Sequence, residues 1–148
     1  MSIVVRVLGS DEAHVLDHVA ADVFDHAVDP RWCAEFFADP RHHLVVALDG
    51  EVVVGMASGV HYVHPDKPPE LWINEVGVAP THEGRGLGRR LVSTLVVHGA
   101  TLGCREAWVL TSPSNEAANR MYRAAGGEPD GESTVMFTFR SPGRELDT

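Results

Sequence analysis

The sequence predicts a single α/β domain: a mixed, mostly antiparallel sheet with one parallel βαβ core and helices on both faces. Three observations carry this. An Asp49-Gly50 pair between two β-rich runs marks an antiparallel hairpin. From Leu71 onward the chain alternates strand, helix, strand, helix, strand, the pattern of a parallel crossover. At 148 residues and 44% hydrophobic content, it is sized for one core that folds without staples.

Ile3 to Leu8 reads as the first strand. Ser10 then offers an N-cap with Asp11 and Glu12 in the first turn, and Val15, Leu16, Val19, Val23 and Phe24 recur at helical spacing. Pro30 interrupts before a short second helix at Trp32 to Phe37. His43 to Leu48 and Val52 to Val60 form the hairpin. Val63 to Glu70 carries three prolines and is expected to be a loop, before a strand at Leu71 to Ala79.

After the turn THEGRGLG, the apolar positions Leu91, Val92, Leu95, Val96 and Leu102 share one helix face, and Gly103 ends the helix. Ala107 to Thr111 is a short strand. Ser114 caps a helix from Asn115 to Ala125 that Gly126-Gly127 stops, and Val135 to Arg140 is the last strand. Residues 141–148 are expected to be a flexible tail.

Residues 1–75 hold 13 acids against 4 Lys and Arg, while residues 76–148 hold 8 of each, so the net charge of -9 lies wholly in the first half. Such a field repels nucleic acid and acidic membrane surfaces. It attracts a cationic small molecule if the acids line a cleft, and otherwise serves solubility. No apolar window reaches the roughly 18 residues of a membrane span, and the start lacks a signal-peptide pattern, so a cytoplasmic protein is expected. Cys33 and Cys104 form no CxxC pair and suit a reducing compartment.

The turn Gly84-Arg85-Gly86-Leu87-Gly88 is neither a Walker loop, which needs Lys-Ser or Lys-Thr, nor the GxGxxG of dinucleotide binders. In isolation it is either a tight strand-to-helix connection or a phosphate cradle of backbone N–H groups at a helix N-terminus. His14 and His18 share a helix face without a third ligand of telling spacing, which favours a solvated face over a metal site. His61, His64 and His82 read as surface residues, and no signature of covalent catalysis is present.

The segments NEVGVAPTHEGRGLGRRLV and SNEAANRMYRAAGG together resemble two signatures of the GNAT acyltransferases. In the first, the pattern Gln/Arg-x-x-Gly-x-Gly/Ala falls on Glu83, Gly84, Arg85, Gly86, Leu87 and Gly88, with Glu83 departing from it. In the second, Asn115, Ala118, Tyr122 and Gly126 match, and Gly127 stands where a Phe is usual.

The resemblance implies the GNAT fold, acetyl-CoA as cosubstrate and no metal. It implies that the glycine turn holds the pyrophosphate through backbone amides, with Arg85, Arg89 and Arg90 offsetting Glu83. It further implies that the Val76 N–H polarises the thioester carbonyl, that Gly77 and Val78 lie along the pantetheine arm, and that Asn115, Ala118 and Asn119 contact the cofactor. Tyr122 is then the acid for the departing thiolate. A looser similarity, in HYVHPDKPPELWINEVGV and TVMFTF, is to the small aminoglycoside 3-N-acetyltransferases. Such domains often pair, which implies a homodimer through the C-terminal strands.

Acyl transfer to an amine needs a neutral nucleophile, a polarised carbonyl and a proton for the leaving group. Neutralising a lysine-like amine near pH 7 costs about 4 to 5 kcal/mol, so a nearby carboxylate is useful. Glu75, on the strand just before an expected bulge, is the candidate base; aminoglycoside acetyltransferases carry an acid at the matching place. The expected reaction is direct attack by a primary amine of a cationic small molecule, an aminoglycoside at a 3-N position being the specific expectation. The alternatives are a peptide or protein N-acetyltransferase and a non-catalytic acyl-CoA sensor.

Overall fold

Runs rich in β-branched residues form one five-stranded sheet in the computed structural model, which describes residues 2–131 and 133–142. The strands β1 (Val4–Val7), β2 (His42–Asp49), β3 (Val52–His64), β4 (Lys67–Val78) and β5 (Glu106–Val109) lie in that order across it. The first four pair antiparallel and β4 pairs parallel with β5, which is the mixed sheet expected from the sequence.

Helix α2 (Leu87–Thr101) makes the crossover and packs on one face, burying Leu87, Leu91, Val92, Leu95 and Gly99. Small residues let it approach: a Cβ at Gly55 would lie 3.0 Å from Leu91, and one at Gly59 3.4 Å from Leu95. Val96 and Leu102, expected on the apolar face, point outward at 40% and 36% exposure. His43 is buried on the α2 side, its Nε2 2.7 Å from His61 Nδ1 and its Nδ1 3.3 Å from His98 Nε2. Burial first, and then the neighbouring His98, His61 and His42, push its pKa down to about 4 against a smaller opposing effect of Asp39.

The other face is covered by α1 (Pro30–Ala38) and the irregular chain before it. Pro30 at the first helical position and Asp29, whose side chain accepts from Arg31 N at 2.8 Å, start α1.

Four expectations are corrected. The first helix is only a 3-10 turn, Ala13–Asp17, with no cap from Ser10. Val53 takes the chain over, donating to His18 O and accepting from Ala20 N, both at 2.9 Å, so sheet pairing overrides helical spacing. The expected loop from Val63 to Glu70 is mostly strand: β3 and β4 meet at a turn of Pro65 and Asp66, and Pro68 and Pro69 sit at a register shift where no regular ladder donor is needed. Helix α3 (Glu116–Ala124) is capped by Asn115 rather than Ser114. Val135 to Arg140 pairs with no strand among the described residues, and Val135, Met136, Phe137 and Phe139 are 71 to 93% exposed, because β propensity alone supplies no ladder partner. Of the expected tail, residues 143–148 lie outside the described residues.

Candidate active site

The parallel pairing of β4 with β5 runs from Glu70 and Glu106 to Ile73 and Val109 and then stops, while β4 continues to Val78. Among the described residues, β4 from Asn74 onward therefore has β3 on one side and no strand on the other. This crevice opens at the carboxyl ends of the two parallel strands, where α/β sheets place their ligands. Below it, Trp72 and Trp108 stack with ring centroids 5.1 Å apart and planes 9° from parallel.

Glu75 lies just past the last β4–β5 pair. Ser58 pairs with Glu75 and Gly59 with Ile73, so Asn74 is an extra residue on β4. The bulge thus precedes Glu75 rather than following it. Side chains alternate along a strand, and one extra residue reverses the alternation. Ile73 is buried on the α2 side; without Asn74, Glu75 would follow it there. With it, Leu44, Ser58 and Glu75 form one cross-strand row on the opposite face.

That row floors a cavity of about 280 Å³ whose walls include Phe24, Phe36 and Phe37. Phe36 and Phe37 meet edge to face with centroids 5.4 Å apart. Trp32 stands at the rim, 62% exposed, with the Arg31 guanidinium 5.2 Å from its ring centre. Asp25, Asp29 and Glu75 are the acids of the lining, and Asp29 is paired to Arg31 at 3.1 Å. Glu75 is open to the cavity, yet the surrounding protein raises its carboxyl pKa, burial first and then the charge of Asp25, with His26 opposing. Cys33 also faces the cavity, its thiol raised by burial and by Asp17.

On the far side of the crevice, Gly84 and Gly86 have φ of 77° and 73°, and Gly86 is the N-cap of α2 with no side-chain cap. A glycine-specific backbone thus leaves the first N–H groups of α2 uncapped by side chains, as a phosphate cradle requires. Arg85 and Arg89 are exposed and in no ion pair among the described residues, whereas Arg90 reaches Ile3 O at 3.5 Å. The turn fits a pyrophosphate. Glu83 is exposed beside it. His82 holds the segment in place, with Nε2 2.8 Å from Asp49 Oδ2 and Nδ1 2.8 Å from Thr81 Oγ1.

Helix α3 ends in a double hydrogen bond, from Gly126 N to Arg123 O and from Gly127 N to Tyr122 O. A Cβ at Gly127 would come 2.9 Å from the Tyr122 carbonyl, so glycine suits this place. The Asn115 side chain accepts from Ala118 N at 3.1 Å, and Asn119 Nδ2 donates to Ser112 O and Asn115 O, so both asparagines shape the loop before α3. Met121 packs on Gly88, bringing α3 against the start of α2. Tyr122 is half-buried, does not line the cavity, and has its hydroxyl pKa raised by burial. Gly77 has a packing role as well, since a Cβ there would overlap the Val23 carbonyl.

Glu75 and the free edge at Val76 to Val78 follow one another on β4, the glycine turn heads α2, and Met121 of α3 packs on Gly88 at the start of α2. The sequence pointed to each of these, but not to the wall of Phe24, Asp25, Phe36, Phe37 and Ser58. For Phe36 and Phe37 the signal lay in the apolar spacing of α1, which resembles that of any core helix.

A mixed sheet split between two parallel strands, with a glycine turn at the head of the crossover helix, defines an acyl-CoA-type transferase fold. The chain belongs to the acetyltransferase (GNAT) family, whose model matches residues 12–126. It is 34% identical over 105 residues to L-2,4-diaminobutyric acid acetyltransferase of Shouchella clausii (strain KSM-K16), covering 71% of this chain and 56% of that protein. It is 25% identical over 139 residues to spermine/spermidine N(1)-acetyltransferase of Bacillus subtilis (strain 168), covering 89% and 91%. The chain spans little more than half the length of the first of these relatives. The solved structure of AAC(6')-Iy with a bisubstrate analogue superposes with a TM-score of 0.77 at 20% identity, over 95% of this chain and 100% of that one. That likeness speaks for the fold, and its name carries the 6' position rather than the 3-N position suggested by the sequence.

Proposed function

We propose that this chain, as one domain, transfers an acetyl group from acetyl-CoA to a primary amine of a small cationic molecule by direct attack in a ternary complex. The observation that supports this best is the extra residue at Asn74, which turns Glu75 into the cavity beside the strand edge that β5 leaves free. Acetyl-CoA supplies a thioester: as the amine nitrogen bonds the acetyl carbon, the C–S bond breaks, the amine gives up a proton and the thiol leaves with one.

Glu75 serves as the base. A carboxyl raised by burial and by Asp25 lies closer to neutral pH than an ordinary one, which improves proton transfer from an ammonium. The Val76 N–H and the Val78 backbone act on the acyl and pantetheine end, the glycine turn with Arg85 and Arg89 on the phosphates, and Asn115, Ala118 and Asn119 order the adjoining loop. Tyr122, kept protonated by burial, is the donor for the thiolate. The relatives named for diaminobutyric acid and for spermine and spermidine support a compact amine acceptor. The 3-N aminoglycoside implied by sequence resemblance is a larger amine acceptor for the same chemistry.

The test is thiol release from acetyl-CoA by the purified protein with L-2,4-diaminobutyrate, spermidine, an aminoglycoside and 2-phenylethylamine. At least one amine is expected to turn over, with Glu75→Gln lowering kcat about 100-fold and Tyr122→Phe about 10-fold. Acetyl-CoA binding with turnover of none would overturn the reading in favour of a non-catalytic sensor.

A further inference from the structure

The acceptor cavity is unlike a site for a polycation. Of its three lining acids, Asp29 is already paired with Arg31, and His26 lies in the same wall, so at most two carboxylates face an incoming ligand. Its volume of about 280 Å³ is just under the roughly 300 to 1,000 Å³ of pockets for drug-sized ligands, which matches a compact acceptor body. Apart from Ser58 and Cys33, the rest of the lining is aromatic and aliphatic, with Phe24, Phe36, Phe37, Leu44 and Leu16 prominent in it. A hydroxyl-rich or multiply charged body would lose hydrogen bonds to water there without replacement.

We infer that the acceptor is a compact amine with one apolar, aromatic or branched aliphatic body, its amine directed to Glu75 and Asp25 and its body held between Phe24, Phe36 and Phe37. This rests on the reading of the cavity as the acceptor site. Phe36 sets the preference. It projects from α1 into the cavity, meeting Phe37 edge to face and lying 5.1 Å from the His42 ring, so its position is fixed before a ligand arrives.

The experiment compares kcat/KM for 2-phenylethylamine and isopentylamine with that for spermidine and an aminoglycoside, at saturating acetyl-CoA. Binding to the protein without cofactor is followed by the fluorescence of Trp32 at the rim, in a Trp72→Phe, Trp108→Phe background. The apolar amines are expected to exceed the polycations at least 10-fold in kcat/KM and to change the Trp32 emission. Phe36→Ala is expected to raise KM for 2-phenylethylamine about 10-fold with kcat and the KM for acetyl-CoA within 2-fold, as loss of pocket contacts does. Should that variant fail to fold, Phe36→Leu provides the same readout with about a 3-fold change. Turnover that favours spermidine or the aminoglycoside overturns this inference and leaves the acetyltransferase reading standing. Turnover of no amine removes both.

Discussion

The two faces of the sheet are built by opposite means. On one, a regular fifteen-residue helix lays Leu87, Leu91 and Leu95 against strands whose glycines at 55 and 59 remove every obstacle, and the interface closes. On the other, a 3-10 turn, an irregular stretch and the nine-residue α1 meet the sheet, and space is left over Leu44, Ser58 and Glu75. The difference teaches that stability and chemistry have been given separate sides. The closed face leaves no space beside its core, whereas the open face keeps a cavity over core residue Leu44 whose walls Phe24, Phe36 and Phe37 also pack on the core.

The sharpest break of that comparison is Leu95→Ala, which leaves a void in the closed face and is expected to cost about 2 to 5 kcal/mol in urea unfolding. Phe36→Ala, on the open face, should cost well under half as much, and equal costs would erase the distinction. A second contrast concerns acid. His43 is neutral in the folded state down to about pH 4 but titrates near 6.5 when unfolded, so the unfolded chain binds the extra proton between those values. The contribution of His43 is expected to be full above pH 6.5 and to fall by up to roughly 3 kcal/mol as pH drops to 4. His43→Gln should flatten that slope, as read by urea midpoints at pH 7 and pH 5.

Glu75 titrates in the opposite sense. Its carboxyl is raised on folding, so the folded state holds its proton more tightly and stability declines as pH rises through the interval above the ordinary carboxylate value. Glu75→Gln is therefore expected to raise Tm at pH 7 while lowering kcat, a trade that a purely structural glutamate would not show. The smallest effect belongs to Glu83→Gln. Removing a carboxylate beside the cradle should lower the KM for acetyl-CoA about 2- to 4-fold at low salt, and less at high salt.

The glycine turn, α2 and α3 were legible because their residues interact mainly with their own neighbours. Gly84 and Gly86 at positive φ and Gly126 past the end of α3 are local requirements that sequence states directly, whereas the cap of α3 falls on Asn115, one residue beyond the expected Ser114. The open face was not, because it depends on distant partners. Val15, Leu16, Val19, Val23 and Phe24 all pack on the core as their spacing implied, yet Val53 turned their backbone away from a helix. The prolines at 68 and 69 argued for a loop, and only the register shift beside Tyr62 shows how a strand takes them. The position of Glu75 hinged on one unpaired residue, Asn74, which no side-chain pattern reveals.

The stacked indoles of Trp72 and Trp108 give the crevice an optical signature. Two indoles with ring centroids 5.1 Å apart couple, and their circular dichroism depends on their distance and on the angle between their transition dipoles within the stacked planes. The pair straddles β4 and β5 immediately below the point where the strands part, so any ligand that widens or narrows the crevice changes the spectrum of the protein itself, with no label attached.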